Sequence, residues 1–136
     1  MNDKIILNDL KEIELEDGNI LHALKKTDLN FAGFGEAYFS IIKFNSIKAW
    51  KLHTKMIMNL IVPQGEIKFV FFDGLNFVDI ILSRHNYKRL TIHPNIWFGF
   101  MGLDPNGSML LNIANIQHDP SEVLRKSIDE FDYKWI

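Results

Sequence analysis

The chain has 136 residues, of which 47% are hydrophobic and 24% charged, with a formal net charge of −2 and no cysteine. That balance fits a single globular domain over residues 1–136, long enough to bury a core. It excludes disulfides, thiol nucleophiles and cysteine-ligated zinc, and it offers no broad electrostatic reason to expect a nucleic-acid partner.

The first 18 residues, MNDKIILNDLKEIELEDG, are polar and acidic, unlike a secretory signal. The longest apolar runs, such as Met56 to Val62, fall far short of the ~20 residues that span a bilayer. The expectation is a cytoplasmic protein without a membrane partner.

In chain order, strands are predicted at Lys4–Leu7, Lys11–Leu15, Ala37–Phe44, Ile57–Val62, Ile67–Phe72, Val78–Leu82, Lys88–Ile92, Phe98–Leu103, Met109–Ile116 and Tyr133–Ile136. Each is short, rich in Ile, Val, Phe or Leu, and bounded by Gly, Pro, Asn or Asp. Turn signals lie between them at Asp17-Gly18, Asp73-Gly74, His93-Pro94-Asn95 and Asp104-Pro105-Asn106-Gly107, the last with the type I pattern of a hairpin turn. Arg84 and Arg89 flank a turn and read as solvated. Asp119 followed by Pro120 caps a helix start, and Val123 to Ser127 has room for at most two helical turns. Many short strands and almost no helix indicate an all-β sandwich or barrel. Pattern alone leaves a jelly roll, an immunoglobulin-like sandwich and a closed barrel open.

His53 is the residue of most chemical interest. It stands just ahead of two apolar strands joined at Pro63-Gln64-Gly65-Glu66, so a barrel built from them would hold it inside. Asp17-Gly18-Asn19, Leu52-His53, Gly65-Glu66-Ile67 through Asp73, Ile92 to Phe100 (IHPNIWFGF) and Ile128-Asp129 followed by Tyr133-Lys134-Trp135 occur in one order along the chain. In that order they resemble the landmarks of the dTDP-4-dehydrorhamnose 3,5-epimerase family, which are cupins with a double-stranded β-helix, or jelly-roll, fold.

The resemblance implies an all-β cupin jelly roll with a short C-terminal helical turn, paired as a homodimer. It implies an epimerase or isomerase acting on a nucleotide-linked 4-keto-6-deoxy sugar in surface polysaccharide synthesis, with no metal and no other cofactor. Such chemistry removes a proton next to a ketone, stabilises an enolate and returns a proton. By resemblance His53 is the base, and Asp129 is the carboxylate that would hold its tautomer. Asp129 reads equally as a surface turn residue.

Several family positions differ. Trp50-Lys51 replace an arginine, Phe98 replaces a histidine, and no tyrosine occurs near Leu110 to Asn112. The lysine expected early in the strand after the histidine has no clear match in Met56-Ile57-Met58-Asn59. Tyr38, on a strand that would line the barrel, is the candidate substitute acid. Lys51, Asn59, Trp50 and Trp97 are candidate substrate-binding residues, the two indoles by stacking and Lys51 by charge. Lys48 and Lys55 could supply further charge. The losses also leave room for a non-catalytic sugar or nucleotide-sugar binding module. One imidazole is too few for a transition-metal site.

Overall fold

The computed structural model describes residues 2–136. Twelve strands form: β1 Ile5–Asp9, β2 Glu12–Ile13, β3 Ile20–Leu21, β4 Glu36–Ile42, β5 Ile47–His53, β6 Met58–Gln64, β7 Glu66–Phe72, β8 Phe77–Ser83, β9 Lys88–Ile92, β10 Trp97–Gly102, β11 Ser108–Ala114 and β12 Val123–Arg125. Two five-stranded sheets face each other. Sheet I has the order β1-β9-β6-β11-β4 and sheet II the order β12-β5-β10-β7-β8, while β2 and β3 form a separate ribbon.

The pairs β4·β11, β5·β10, β6·β9 and β7·β8 are nested and antiparallel. The chain therefore winds up as a doubled hairpin and alternates between sheets, which is the cupin jelly roll. Strand alternation fills the space between the sheets. Met58, Leu60 and Val62 of β6 meet Ile67, Phe69 and Phe71 of β7, all nearly inaccessible. Only Gly65 separates β6 from β7. Its φ of +84° lets the chain turn from one sheet into the other, and a side chain there would run into Ser108.

A second cluster lies on the outer face of sheet II. Trp50, Val70 and Met101 are covered by the C-terminal tail through Phe131, Tyr133 and Trp135. Lys68 ties the tail down by donating to the Trp135 carbonyl at 3.0 Å, with its ammonium 5.2 Å from the centre of the Tyr133 ring.

Several expectations change. Val123–Arg125 is a strand rather than helix, because the capped turn ends after one 3-10 turn at Pro120–Glu122 and pairing with β5 takes over. Asp119 does cap that turn, accepting from the Ser121 amide at 3.0 Å. The turn at Asp104–Gly107 closes with Gly107 N donating to Asp104 O at 2.9 Å, but it joins β10 to β11, which belong to opposite sheets, so it is not a hairpin. Tyr133–Ile136 joins no ladder and packs through its aromatic rings instead. Arg89 is buried, its guanidinium bonded to Asn59 Oδ1, Ala23 O and Asp28 Oδ2. Ile47–His53, for which no strand is predicted, is the strand that carries the site.

Candidate active site

A cavity of about 470 Å³ opens between the sheets, walled by β4, β6 and β11 of sheet I and by β5, β10 and β12 of sheet II. Met58, Leu60, Phe98, Phe100 and Leu110 give it an apolar lining, against which a few polar groups converge. The size and the mixture are those of a small-ligand site.

β5 delivers two of those groups from one face. Lys51 and His53 are two residues apart, so both point inward, while Trp50 points the other way. The ladder between β5 and β10 shifts register between Phe98 and Phe100, and this irregularity lets Lys48 line the cavity as well. Phe98 stacks beside the His53 ring at 6.2 Å with the planes 24° apart.

His53 is buried, and its Nδ1 lies 2.5 Å from Glu122 Oε1, a carboxylate wholly enclosed by protein. A carboxylate only accepts, so Nδ1 carries the proton and Nε2 keeps a lone pair. The other carboxylate oxygen, Oε2, accepts from the amides of Thr54 at 3.1 Å, Lys55 at 3.1 Å and Met56 at 3.3 Å. These bonds hold Glu122 and the corner after β5 in one position. Burial pushes the Glu122 carboxyl upward, but the His53 bond and the backbone amides outweigh it and hold the group below the usual carboxylate range. Desolvation holds the His53 imidazole below its ordinary value; Glu122 opposes this, and the Lys51 and Arg125 charges reinforce it. A neutral imidazole with a free, ligand-facing nitrogen is what a general base requires.

The dyad partner is therefore Glu122 and not Asp129. Val123 pairs with His53 across β12 and β5, which puts the preceding residue at the end of β5. Asp129 lies in the exposed 3-10 turn Ile128–Glu130, after the chain has left β12 for the outer face of sheet II. Nothing in the sequence spacing marks this pairing, since 69 residues separate the partners and only the ladder joins them.

Tyr38 faces the cavity from the opposite sheet. Its hydroxyl accepts from Asn112 Nδ2 at 2.9 Å, which leaves its own proton free to donate. Arg125, unremarked in the sequence, lines the cavity on β12 directly opposite Lys51. Lys126 also lines it, but it sits over the Trp97 ring at 5.1 Å and pairs with Glu130. Lys48 donates to Ser40 Oγ at 3.1 Å and to Ile41 O at 3.2 Å across the mouth. Among the described residues neither Lys51 nor Arg125 has an acidic partner.

Trp97 and Asn59 lie elsewhere, and Trp50, whose position borders the cavity, turns its ring away from it. Trp50 is 1% exposed within the outer aromatic cluster, its Nε1 donating to Ile128 O at 3.2 Å. Trp97 also faces outward, against Phe131. Asn59, between the inward Met58 and Leu60, faces away from the core and accepts from Thr91 Oγ1 at 2.6 Å and Arg89 Nε at 3.2 Å. In each case strand alternation sends the side chain to the far face. Lys55 is exposed and outside the cavity lining. No group of three or more His, Asp or Glu able to hold a metal occurs among the described residues, and no helix among them is long and apolar enough to cross a membrane.

Comparison with known proteins agrees with this architecture. The profile of the family described as FdtA: WxcM-like, C-terminal, matches residues 3–134. A dTDP sugar isomerase from Desulfovibrio desulfuricans is 31% identical, with a TM-score of 0.93 over 98% of this chain and 91% of that one. QdtA, a sugar 3,4-ketoisomerase from Thermoanaerobacterium thermosaccharolyticum solved with TDP, is 21% identical, with a TM-score of 0.82 over 93% and 90%. The 3,5-epimerase RmlC from Legionella pneumophila shares the fold at 17% identity and a TM-score of 0.79, over 91% of this chain and 73% of that one. No curated protein matches the sequence. The 3,5-epimerase family that its motifs resemble shares the fold, but on the match over nearly its whole length the chain belongs to the FdtA/WxcM-like family.

Proposed function

We propose that the protein is an isomerase of nucleotide-linked 4-keto-6-deoxy sugars, moving the carbonyl between C4 and C3. The observation that carries this is the His53–Glu122 dyad inside a cavity that also holds unpaired cations. His53 Nε2 takes the proton from the carbon beside the ketone, and Glu122 fixes the tautomer that leaves Nε2 free.

Lys51 and Arg125 stand directly opposite each other on neighbouring strands, where like charges destabilise a sheet. A diphosphate would relieve that repulsion, which supports a nucleotide-sugar ligand. The isomerase described from Desulfovibrio desulfuricans supports a dTDP-linked substrate.

A second reading, inversion at C3 and C5, draws on Tyr38, which faces the cavity from the sheet opposite His53 and is placed to protonate the other side of an enolate. Incubation with dTDP-4-keto-6-deoxyglucose in deuterium oxide separates the two by NMR. A 3-keto product with no exchange at C5 supports the carbonyl shift. Exchange at both C3 and C5 supports inversion, and binding without exchange supports a non-catalytic module.

The wider setting, surface polysaccharide synthesis in the cytoplasm by a homodimer, belongs to the same proposal. Support for the dimer is that β4 is an edge strand whose Phe39 and Ile41 are 64% and 67% exposed.

A further inference from the structure

Moving a carbonyl from C4 to C3 needs two proton transfers. One is between carbons. The other is between oxygens, since O4 must gain a proton and O3 must lose one. His53 can serve the carbons, but while its imidazole holds the carbon proton it cannot also carry the oxygen proton, so a second group is needed for the two transfers to run side by side.

We propose that Lys51 is the second acid–base group, passing the oxygen proton from O3 to O4 while His53 passes the carbon proton from C3 to C4. This rests on the carbonyl-shift reading above.

The geometry supports it. Lys51 and His53 are alternate residues of β5 on the same face, so their Cα atoms are roughly 7 Å apart and their ends reach neighbouring atoms of one ligand. Glu122 is spent on His53 and three backbone amides, which leaves no carboxylate for Lys51. The groups around Lys51 are Arg125 on β12, Lys48 and His53 on β5 itself, Lys126 beyond Arg125, the apolar Phe98 on β10, and Tyr38, Ser40 and Asn112 from the opposite sheet. None is anionic. Burial and then the Arg125 and Lys48 charges hold the Lys51 ammonium below the usual lysine range, with Glu122 opposing weakly, which makes its proton easier to give up.

The step balances. His53 Nε2 takes the C3 proton, the C3–H electrons form C3=C4, and O4 takes a proton from the Lys51 ammonium to give an enediol. The Lys51 amine then removes the O3 proton, C3=O forms, and C4 takes the proton from the His53 imidazolium. Both side chains end as they began.

The test uses K51R and K51M with dTDP-4-keto-6-deoxyglucose, reading turnover, KM, deuterium exchange at C3 and the pH profile. Arginine keeps the charge but does not give up its proton. K51R is expected to keep KM within about 3-fold while kcat falls about 10²-fold or more. C3 exchange should persist in both variants, because His53 is intact. The wild-type kcat profile should show a limb, below the usual lysine range, that is lost in K51R. K51R turnover within about 3-fold of wild type, or C3 exchange that vanishes in both variants, overturns the assignment. A wild-type protein without C3 exchange overturns instead the reading on which it rests, and the assignment with it.

Discussion

Glu122→Gln isolates the tautomer of His53 from the integrity of the fold. The amide oxygen must face the amides of Thr54, Lys55 and Met56, because an NH2 group there would meet three donors. The NH2 is then turned to His53 Nδ1, donates to it, and forces the ring proton onto Nε2. The nitrogen facing the cavity loses its lone pair.

Two magnitudes follow. Bonds to a charged acceptor are worth about 2 kcal/mol and neutral ones about 1 kcal/mol, so weakening three of them costs roughly 3 kcal/mol. A domain of this size has about 5–15 kcal/mol of stability, so it stays folded. Turnover falls much further. The same carboxylate-to-amide exchange in a serine-protease triad lowers turnover about 10⁴-fold, or about 5 kcal/mol in activation energy. The assay is ¹⁵N NMR of the imidazole at neutral pH. It should report the Nδ1–H tautomer in wild type and Nε2–H in the variant, alongside a turnover measurement. An Nε2–H tautomer in the wild type, or a variant within about 10-fold of wild-type rate, would refute the reasoning.

Further outcomes are expected. Arg125→Gln should weaken dTDP binding about 10-fold by calorimetry while leaving the unliganded protein as stable or slightly more so, because it removes a like charge facing Lys51; a destabilised variant with unchanged affinity would count against the diphosphate role. Trp50→Ala should cost about 3–5 kcal/mol in denaturant unfolding, and it should leave dTDP affinity per folded molecule unchanged, since the indole lies on the far side of the sheet. Stability should fall on acidification in two stages. His53 sits below its ordinary value when folded, so the unfolded chain binds the proton first and stability declines as pH drops through about 6.5. Glu122, also held low, adds a decline below about 4.5. A melting temperature flat between pH 7 and pH 5 would contradict the His53 assignment.

The fold was legible because its strands carry strong local signals. Lys88–Ile92 forms at the predicted bounds, and the turns at Asp73-Gly74 and Asp104–Gly107 are made by the residues expected to make them. The site was less legible, for physical reasons. Ile47–His53 carries lysines three apart on the cavity side, a spacing that regular alternation forbids and that accompanies the register shift against β10. Glu122 stands just after the Asp119-Pro120 helix start, whereas its carboxylate leaves that turn to serve a strand far away in the chain. Trp50 and Trp97 show the converse: aromatics next to a site in sequence are turned away from it by the pleat.

The three amides on Glu122 Oε2 have a consequence for reading divergent relatives. The carboxylate that holds His53 also closes the corner leading into β6, so selection for folding alone would preserve it. A homologue that has lost turnover would still keep a glutamate at this position, and its presence says little about activity. Lys51 has the opposite status. It bonds to no carboxylate and faces a like charge, so the folded state gains nothing by retaining it. On the proposed role of Lys51, drift after turnover is no longer selected should remove the lysine before the glutamate, which makes Lys51 the better marker of activity.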